Sequence, residues 1–301
     1  SAPPSDYSPR VSALGRQLAL GALRRLPLHA LSRVAGGLAT RRLPTPLRAP
    51  LLRAFGRAVG ADFGEVRDPL DTFESLQAFF TRALVEGARP IDPAPDAFVA
   101  PCDGSWGAAG TIQGDTILQM KGRPYSVGAL LGSDADAKRY DGDSFATFYL
   151  APRDYHRFHL PCDGRVLRAS YLPGNLWPVN RIGVEGVDGL FAQNERICAT
   201  FGVGGDARLT IAAVGATMVG KVHVVFDDLS TQRGPVDARR VDTRTYDVLD
   251  PRYAFAKGDE WGRFEFGSTL VLVATPGAID LDVEPPGSPL RLGTRIGRRL
   301  G

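Results

Sequence analysis

Two of the four histidines in this chain, His156 and His159, stand three residues apart in a segment bounded by Pro152 and Pro161. A loop bounded by prolines can turn both imidazoles toward one site, which the strict alternation of a strand would not do. Imidazole side chains serve as general bases, proton donors and metal ligands. This segment is therefore the first candidate for a chemical site.

Three kinds of chemistry fit the residues around these histidines. His156, His159 and Cys162 form a series of soft metal ligands at every third position, although this is not a standard zinc spacing. Either Cys102 or Cys162 can act as a nucleophile with a histidine base. Ser268 can instead be the nucleophile of a Ser-His-Asp arrangement, an interpretation that accounts for the most features and requires no metal.

The candidate serine follows a glycine in what reads as an interrupted strand. Apolar strand segments are predicted at 264–266 and 270–273, with Gly267, Ser268 and a threonine between them. Glycine lets the backbone bend there, so that the Ser268 hydroxyl can approach the carbonyl carbon of Gly267. A β-bulge carrying an ordinary Ser-Thr pair is the competing interpretation.

The carboxylate of such an arrangement is expected in a short turn, Pro101-Cys102-Asp103-Gly104. Asp103 can hold one ring nitrogen of a histidine while the other nitrogen takes the proton of Ser268; a structural Asx-turn is the alternative. The turn recurs at 161–164, where we interpret Asp163 as structural. The repeat suggests a pseudo-twofold pair of hairpins, as in barrel-sandwich folds, unless the duplication is a coincidence.

Residues 1–66 are predicted to form a basic helical segment that associates with membranes. From Ser1 to Gly60 the chain has ten arginines and one acidic residue, Asp6. Two helical stripes of apolar residues accompany these arginines, as in helices that lie on anionic lipid, but such stripes also pack on protein. The stripes are Leu28, Leu31, Val34, Ala35 and Leu38, then Leu47, Leu51, Phe55 and Val59, with Pro50 in the first turn of the second helix and Gly60 at its end. No apolar run approaches the ~20 residues needed to cross a bilayer, and Ser1 to Arg10 is expected to be a loose tail.

Residues 67–301 are predicted to form an α+β domain with a mainly antiparallel sheet. A capping box at 71–74 predicts a helix whose apolar face includes Phe79 and Phe80, and short apolar runs separated by glycines follow from Asp96 onward. Arg82, at the end of that helix, is either a functional cation or a structural ion pair. We expect residues 231–259 to form a polar surface excursion and 276–301 an irregular basic tail. The 301 residues are 44% hydrophobic and 23% charged, which suits a globular core, and three cysteines indicate a reducing, intracellular setting.

From Thr72 to Val273 the chain resembles the phosphatidylserine decarboxylases, pyruvoyl-dependent enzymes of the bacterial and mitochondrial type, in a series of ordered landmarks. In chain order the landmarks are Phe79-Phe80-Thr81-Arg82, Gly87-Ala88-Arg89-Pro90, Pro101-Cys102-Asp103-Gly104, Lys121-Gly122 with Tyr125-Ser126, Ala151 to Pro161, Asn194-Glu195-Arg196, Val214-Gly215-Ala216 and Gly267-Ser268-Thr269.

The resemblance implies a self-processing enzyme. Asp103, His159 and Ser268 match the family's residues for self-cleavage between Gly267 and Ser268, which gives chains 1–267 and 268–301. Ser268 then becomes a pyruvoyl group, which forms a Schiff base with phosphatidylserine and supports its decarboxylation to phosphatidylethanolamine. His156 is expected to donate the proton that replaces carbon dioxide, or to bind the lipid phosphate.

The resemblance also suggests where the protein works and what it meets. The expected location is peripheral, at the cytoplasmic face of the inner membrane. The expected partners are phosphatidylserine in an anionic membrane and the protein's own two chains after cleavage, with a homodimer left open and no nucleic acid. The alternative functions are a decarboxylase of a related serine-headed lipid, a Ser/His hydrolase, and a lipid-binding β-module that stays uncleaved.

Overall fold

Helix α1 (Leu28–Ala39) and helix α2 (Thr45–Val59) form the N-terminal part of the described chain. The computed structural model describes Gly21 and residues 28–119, 123–179, 181–217, 221–232, 240–265 and 269–300, so the predicted tail at residues 1–10 lies outside the described residues. Helix α2 ends at Gly60 as predicted, where a φ of 81° favours glycine. It begins earlier than predicted, because Pro50 lies inside the helix and Pro44 precedes it. No helix among the described residues is both long enough and apolar enough to span a bilayer.

Part of the apolar stripe of α2 packs on the protein, and part of it is exposed to solvent. Phe55 and Val59 of the stripe pack against the buried cluster of Leu52, Phe73 and Phe79, and the Phe55 ring meets Phe79 edge-on at 6.4 Å. Leu51 remains 47% exposed. One part of the stripe therefore packs on protein, and the other part is exposed and available to lipid. A domain boundary at residue 66 stays a prediction.

Helix α3 (Leu76–Phe80) carries the two phenylalanines predicted to be buried, and both are. The predicted capping box at 71–74 was wrong, because the cap is Ser75, whose Oγ accepts a hydrogen bond from the Ala78 amide. The Thr72 hydroxyl is already engaged, since it donates backward to the carbonyl of Pro69. The helix therefore starts later than the pattern indicated.

Seventeen strands and four further short helices make up the rest of the described chain. The strands are β1 (Ala97–Val99), β2 (Gly104–Thr111), β3 (Thr116–Gln119), β4 (Arg123–Ser126), β5 (Ser144–Tyr149), β6 (Arg157–His159), β7 (Gly164–Leu172), β8 (Arg196–Gly204), β9 (Ala207–Val214), β10 (Val222–Val224), β11 (Asp242–Thr245), β12 (Ala254–Phe255), β13 (Glu260–Phe264), β14 (Thr269–Ala274), β15 (Ile279–Leu281), β16 (Pro289–Leu290) and β17 (Arg295–Arg299). The helices are α4 (Val127–Leu131), α5 (Asp134–Ala137), α6 (Arg181–Gly186) and α7 (Leu190–Gln193), and a 3-10 turn covers Pro251–Tyr253.

A nine-stranded antiparallel sheet organises the fold in the order β11-β7-β8-β9-β14-β5-β2-β16, with β12 beside β7. Among the described strands its two ends do not pair with each other, so the sheet is open. Strand β14 is buried on both faces, because Leu270 and Leu272 enter one apolar cluster while Val271 and Val273 enter another. The α+β class with a mainly antiparallel sheet is thus confirmed.

Two smaller sheets position the site and the C-terminus. One has the order β10-β13-β6 and the other β1-β17-β15, while β3 pairs with β4 alone. The chain passes from β13, in the first small sheet, to β14, in the large sheet, across residues 266–268. The predicted break in the strand thus coincides with a change of sheet.

The two Pro-Cys-Asp-Gly turns each open a strand of the large sheet. Gly104 begins β2 and Gly164 begins β7. A side chain at Gly104 would clash with the carbonyl oxygen of Tyr149, 2.0 Å from an ideal Cβ, and the φ of 144° also favours glycine. The turns therefore occupy corresponding places, whereas an exact pseudo-twofold relation stays a prediction.

The segment predicted to be an irregular basic tail and the one predicted to be a polar surface excursion both contribute strands. The expected basic tail at 276–301 was wrong, because β17 pairs with both β1 and β15 and turns Ile296 into the core. Its arginines hid the strand pattern. Within 231–259, β11 and β12 both pair with β7, and a strand at a sheet edge can be polar because one side meets solvent.

Candidate active site

The histidine segment lies against the strand that precedes the predicted cleavage bond. Strand β6 pairs with β13, with His159 opposite Glu260 and Arg157 opposite Arg263. The carbonyl of His156 accepts a hydrogen bond of 2.9 Å from the Phe264 amide. His156 is therefore brought to the end of β13, whereas His159 lies opposite the first residue of that strand.

His156 is fully buried, and one of its ring nitrogens has no hydrogen-bond partner among the described residues. Its Nδ1 lies 2.8 Å from the carbonyl oxygen of Asp154, and its ring packs 4.0 Å from the ring of Phe80. A carbonyl only accepts hydrogen bonds, so Nδ1 carries the proton and Nε2 presents a lone pair. Nε2 is buried without a partner in the described part of the chain. Burial lowers the pKa of His156 to about 3, so the ring is neutral at pH 7.

His159 has the same tautomer for the same reason. Its Nδ1 donates to the carbonyl oxygen of Gly258 at 2.7 Å, and its Nε2 lies 3.4 Å from the hydroxyl of Tyr155. Burial lowers the pKa of His159, although the bond to Gly258 and the charges of Glu260 and Asp103 oppose that effect. A neutral imidazole with an unprotonated Nε2 is equipped to act as a base.

Asp103 is buried, but its hydrogen-bond partners differ from those expected. Its Oδ1 accepts from Arg89 Nε at 2.8 Å and from the Leu292 amide at 2.9 Å, and its Oδ2 accepts from Arg89 Nη2 at 2.6 Å. The structure does not place an Asp103 oxygen on either nitrogen of His159. Gly258 takes the orienting position, while the charge of Asp103 reaches His159 through space and raises its pKa.

Two arginines brace the histidine segment. Arg82 Nη2 donates to the carbonyl of Arg153 at 2.9 Å, and Arg157 donates to the carbonyl of Thr81 through Nε at 3.0 Å and Nη2 at 2.9 Å. The landmark Phe79 to Arg82 thus clamps the landmark that carries the histidines. For Arg82, these contacts support the structural alternative.

The predicted cleavage site, Gly267 and Ser268, lies outside the described residues, as does Phe266. Its two flanks are described. Upstream, Phe264 is hydrogen-bonded to His156, and downstream, Thr269 begins β14 opposite both Tyr149 and Val214. The upstream flank therefore lies beside His156, and the downstream flank lies in the centre of the large sheet.

Beside this segment, the described structure holds polar atoms that sequence reasoning missed. The hydroxyls of Thr269, Tyr149 and Thr147 are buried without hydrogen-bond partners among the described residues. Because Thr269 lies opposite Tyr149 and Val271 opposite Thr147, these side chains share one face of the sheet. Only Thr269, next to the candidate serine, carried a signal in the sequence.

The cysteine and metal alternatives lose support. Burial raises the pKa of Cys162 to about 12 and that of Cys102 well above its usual range, so both remain poorly nucleophilic thiols. All three cysteines are free and buried. Within the described ranges, no three His, Cys, Asp or Glu side chains are grouped to hold a metal ion.

Comparison with known proteins identifies the family. The family model for phosphatidylserine decarboxylase matches residues 76–298. A phosphatidylserine decarboxylase proenzyme from Anaeromyxobacter sp. (strain K) is 41% identical over 284 residues, 93% of this chain and 98% of the relative. The proenzyme from Brevibacillus brevis is 38% identical over 261 residues, 86% of this chain and 90% of the relative. This similarity shows that the chain belongs to the phosphatidylserine decarboxylase family.

Proposed function

We propose that this protein is a proenzyme that cleaves itself between Gly267 and Ser268 and then decarboxylates phosphatidylserine at a membrane surface. The observation that carries the proposal is the tautomer of His159. Its Nδ1 proton is held by the carbonyl of Gly258, which leaves the Nε2 lone pair available as a base on strand β6, beside β13. Membership of the family supports the substrate and the self-processing.

In self-cleavage, His159 Nε2 takes the proton of the Ser268 hydroxyl while Oγ attacks the carbonyl carbon of Gly267. The C–N bond breaks, the amine of residue 268 gains the proton, and an ester replaces the peptide bond. Loss of the α-proton of residue 268 then expels the carboxylate of Gly267 and leaves a dehydroalanine. Water adds and ammonia leaves, which gives the pyruvoyl end. The neighbouring positions of attacker and carbonyl favour the first step through proximity.

Asp103 supports the first step through its charge. When His159 accepts the proton, the carboxylates of Glu260 and, to a smaller extent, Asp103 stabilise the imidazolium, as their upward effects on the pKa of His159 indicate. Arg89 fixes the Asp103 carboxylate in place. The role of Asp103 is thus electrostatic in the conformation described.

The described residues fit a pyruvoyl group at position 268. The buried Nε2 of His156 and the unpaired hydroxyls of Thr269 and Tyr149 are acceptors and donors without partners in the described chain, which suits a polar group and its substrate. The pyruvoyl carbonyl supplies an electron sink for the pair of electrons that carbon dioxide leaves behind.

His156 is proposed to carry the proton of the second stage. The substrate's amine arrives as an ammonium and must lose a proton before it reacts, and His156 Nε2 can take up that proton only transiently, because its lowered pKa makes the ring a weak base. The same nitrogen can then return it to the carbon that has lost carbon dioxide. This shuttle explains how a histidine with a low pKa acts as a proton donor.

Exposed apolar and basic residues near the N-terminus support contact with an anionic membrane. Val34, Leu38 and Leu47 are 61%, 58% and 49% exposed, and Leu51 joins them. Apolar side chains with nearby arginines are typical of helices that lie at a lipid surface. Peripheral binding at the cytoplasmic face remains part of this proposal.

Intact-mass measurement of the purified protein tests self-cleavage. We expect a chain ending at Gly267 and a smaller chain that is lighter, by one ammonia, than the peptide 268–301 with an N-terminal serine. Ser268→Ala should give one uncleaved chain. A single full-length mass for the wild-type protein that still decarboxylates would contradict the proposal.

The substrate is tested by carbon dioxide release from vesicles that contain phosphatidylserine. Glycerophosphoserine, which has the same headgroup without acyl chains, is the matched control. We expect release from the lipid and much slower release from the control. Equal rates would contradict a membrane substrate, and release from neither would contradict the headgroup.

A further inference from the structure

A histidine-carboxylate pair, His223 and Glu265, has no role in the chemistry above, and Glu265 lies immediately upstream of residues 266–268 in the sequence. Glu265 follows the last residue of β13 and precedes Gly267 by two positions. His223 lies in β10, opposite Arg263 of β13. The pair is therefore at the point where the chain leaves the small sheet.

Three hydrogen bonds tie Glu265 to the start of β10. His223 Nε2 donates to Glu265 Oε1 at 2.7 Å, and the Lys221 amide donates to Glu265 Oε2 at 3.1 Å. The Glu265 amide in turn donates to the Lys221 carbonyl at 2.9 Å. Both carboxylate oxygens and the backbone of this residue are thus engaged.

The pair is shielded enough from solvent for the charge of Glu265 to strengthen its hydrogen bonds. The side chains of His223 and Glu265 are 31% and 16% exposed, unlike an ion pair in open solvent. Burial disfavours the ionised carboxyl, but the hydrogen bonds from His223 and the Lys221 amide outweigh it and lower the pKa of Glu265. The carboxylate therefore stays ionised and accepts both bonds at neutral pH.

These contacts fix one end of residues 266–268, and the large sheet fixes the other. Thr269 is held by pairing with β5 and β9, whereas Glu265 is held on β10. Attack of a hydroxyl on the adjacent carbonyl depends on the angle between them, and immobile flanks restrict that angle. A free upstream flank would let the segment sample unreactive orientations.

We propose that His223 and Glu265 are positioning residues for self-cleavage, which hold the upstream flank of residues 266–268 on strand β10. This inference rests on the proposed cleavage at Gly267-Ser268. Among the described contacts the pair does not touch His159, the proposed base, and its role is one of orientation alone.

The test follows cleavage of full-length chains made in a short pulse of cell-free synthesis, by gel and intact mass over time. We expect His223→Leu and Glu265→Ala to slow cleavage about tenfold or more, the size of effect that misplaced reacting groups produce. His223→Gln keeps an N–H donor and should retain cleavage within about threefold. Asp136→Ala breaks a comparably shielded ion pair with Arg168 far from this segment and should cleave at the wild-type rate.

Melting temperatures of each variant in a Ser268→Ala background separate orientation from instability. Slow cleavage by His223→Leu with a near-wild-type melting temperature and rescue by His223→Gln supports the proposal. Wild-type rates for both His223→Leu and Glu265→Ala would overturn it, as would a slowing of His223→Gln equal to that of His223→Leu. If the wild-type chain itself does not cleave, the proposed function fails instead, which is a different result.

Discussion

Both histidines of the site present the same atom, Nε2, as an unprotonated nitrogen, because each donates its Nδ1 proton to a backbone carbonyl. Asp154 supplies that carbonyl for His156, and Gly258 supplies it for His159. Burial keeps both rings neutral. Both Nε2 lone pairs are therefore available at neutral pH, although the lowered pKa makes each ring a weaker base than a free imidazole.

The lowered pKa of His159 predicts an acid-tolerant cleavage reaction. The neutral ring is the active base, and a lowered pKa extends its range toward acid pH. The first-order rate of cleavage in pulse-labelled chains should stay constant as the pH falls through about 6.5, the ordinary value for imidazole, and decline only below it. His159→Gln should abolish the reaction. A rate that is already halved at pH 6.5 or above would contradict the assignment of His159 as the buried base.

Burial of His156 predicts a loss of stability in acid. The unfolded chain takes up a proton at His156 below about pH 6.5, whereas the folded chain resists it until about pH 3. The free energy of unfolding should therefore fall by up to about 1.4 kcal/mol per pH unit within this window from this residue. Denaturant titrations of Ser268→Ala protein, with and without His156→Gln, measure the difference. Parallel pH profiles for the two proteins would show that His156 is not buried in its neutral form.

At the scale of elements, helix α2 serves two surfaces at once. Leu52 and Phe55 attach it to the cluster around Phe79, while Leu47 and Leu51 face away from that cluster. Because Leu52 and Phe55 anchor the helix to the protein, the exposed leucines are held in a fixed position on its other side. This arrangement suits a helix that joins the enzyme to a lipid surface.

The exposed leucines predict a separable membrane contact. Leu47→Glu combined with Leu51→Glu should weaken binding to anionic vesicles by about tenfold or more, because burial of each leucine side chain contributes about 1.5–3 kcal/mol at most. The melting temperature should change little, since both residues are about half exposed. Vesicle co-sedimentation measures the binding. Leu249→Glu, at a residue that is 84% exposed elsewhere, is the matched control, and an equal loss from that variant would contradict the assigned surface.

At the scale of the whole molecule, strands of the predicted small chain pair with strands of the predicted large chain. Strand β14 lies between β9 and β5 in the large sheet, β16 pairs with β2, and β17 lies between β1 and β15. All the strands of residues 268–301 thus pair in sheets, two of them in central positions. Cleavage at the start of β14 removes one covalent bond and leaves this pairing in place.

The two chains should therefore remain associated after cleavage. Gel filtration in native buffer should give one peak that contains both chains, and they should separate only in denaturant. The reason is that removal of β14 would expose the apolar residues of both its faces. Elution of a free 34-residue chain in native buffer would contradict the sheet order.

The sequence by itself determined the chemistry-bearing residues and their order along the chain. His156, His159 and Asp103 stand in short proline- or glycine-marked segments, and residue types at close spacing are readable without the fold. The buried phenylalanines of α3 and the β-rich character after residue 96 followed from local patterns in the same way. The predicted hydrogen bond between Asp103 and a histidine is not present among the described residues; spacing along the chain does not reveal which groups meet.

Only the tertiary structure decided the partners of those residues. The carbonyl that orients His159 belongs to Gly258, 99 positions away, and a backbone oxygen leaves no mark in the sequence. The pairing of Asp103 with Arg89, and the strands hidden among the arginines at 295–299, also depend on which distant segments become neighbours. The type of a residue determines which hydrogen bonds and reactions it can take part in. Its actual hydrogen-bond partners and sheet neighbours depend on contacts between distant segments, and these cannot be read from the order of residues along the chain.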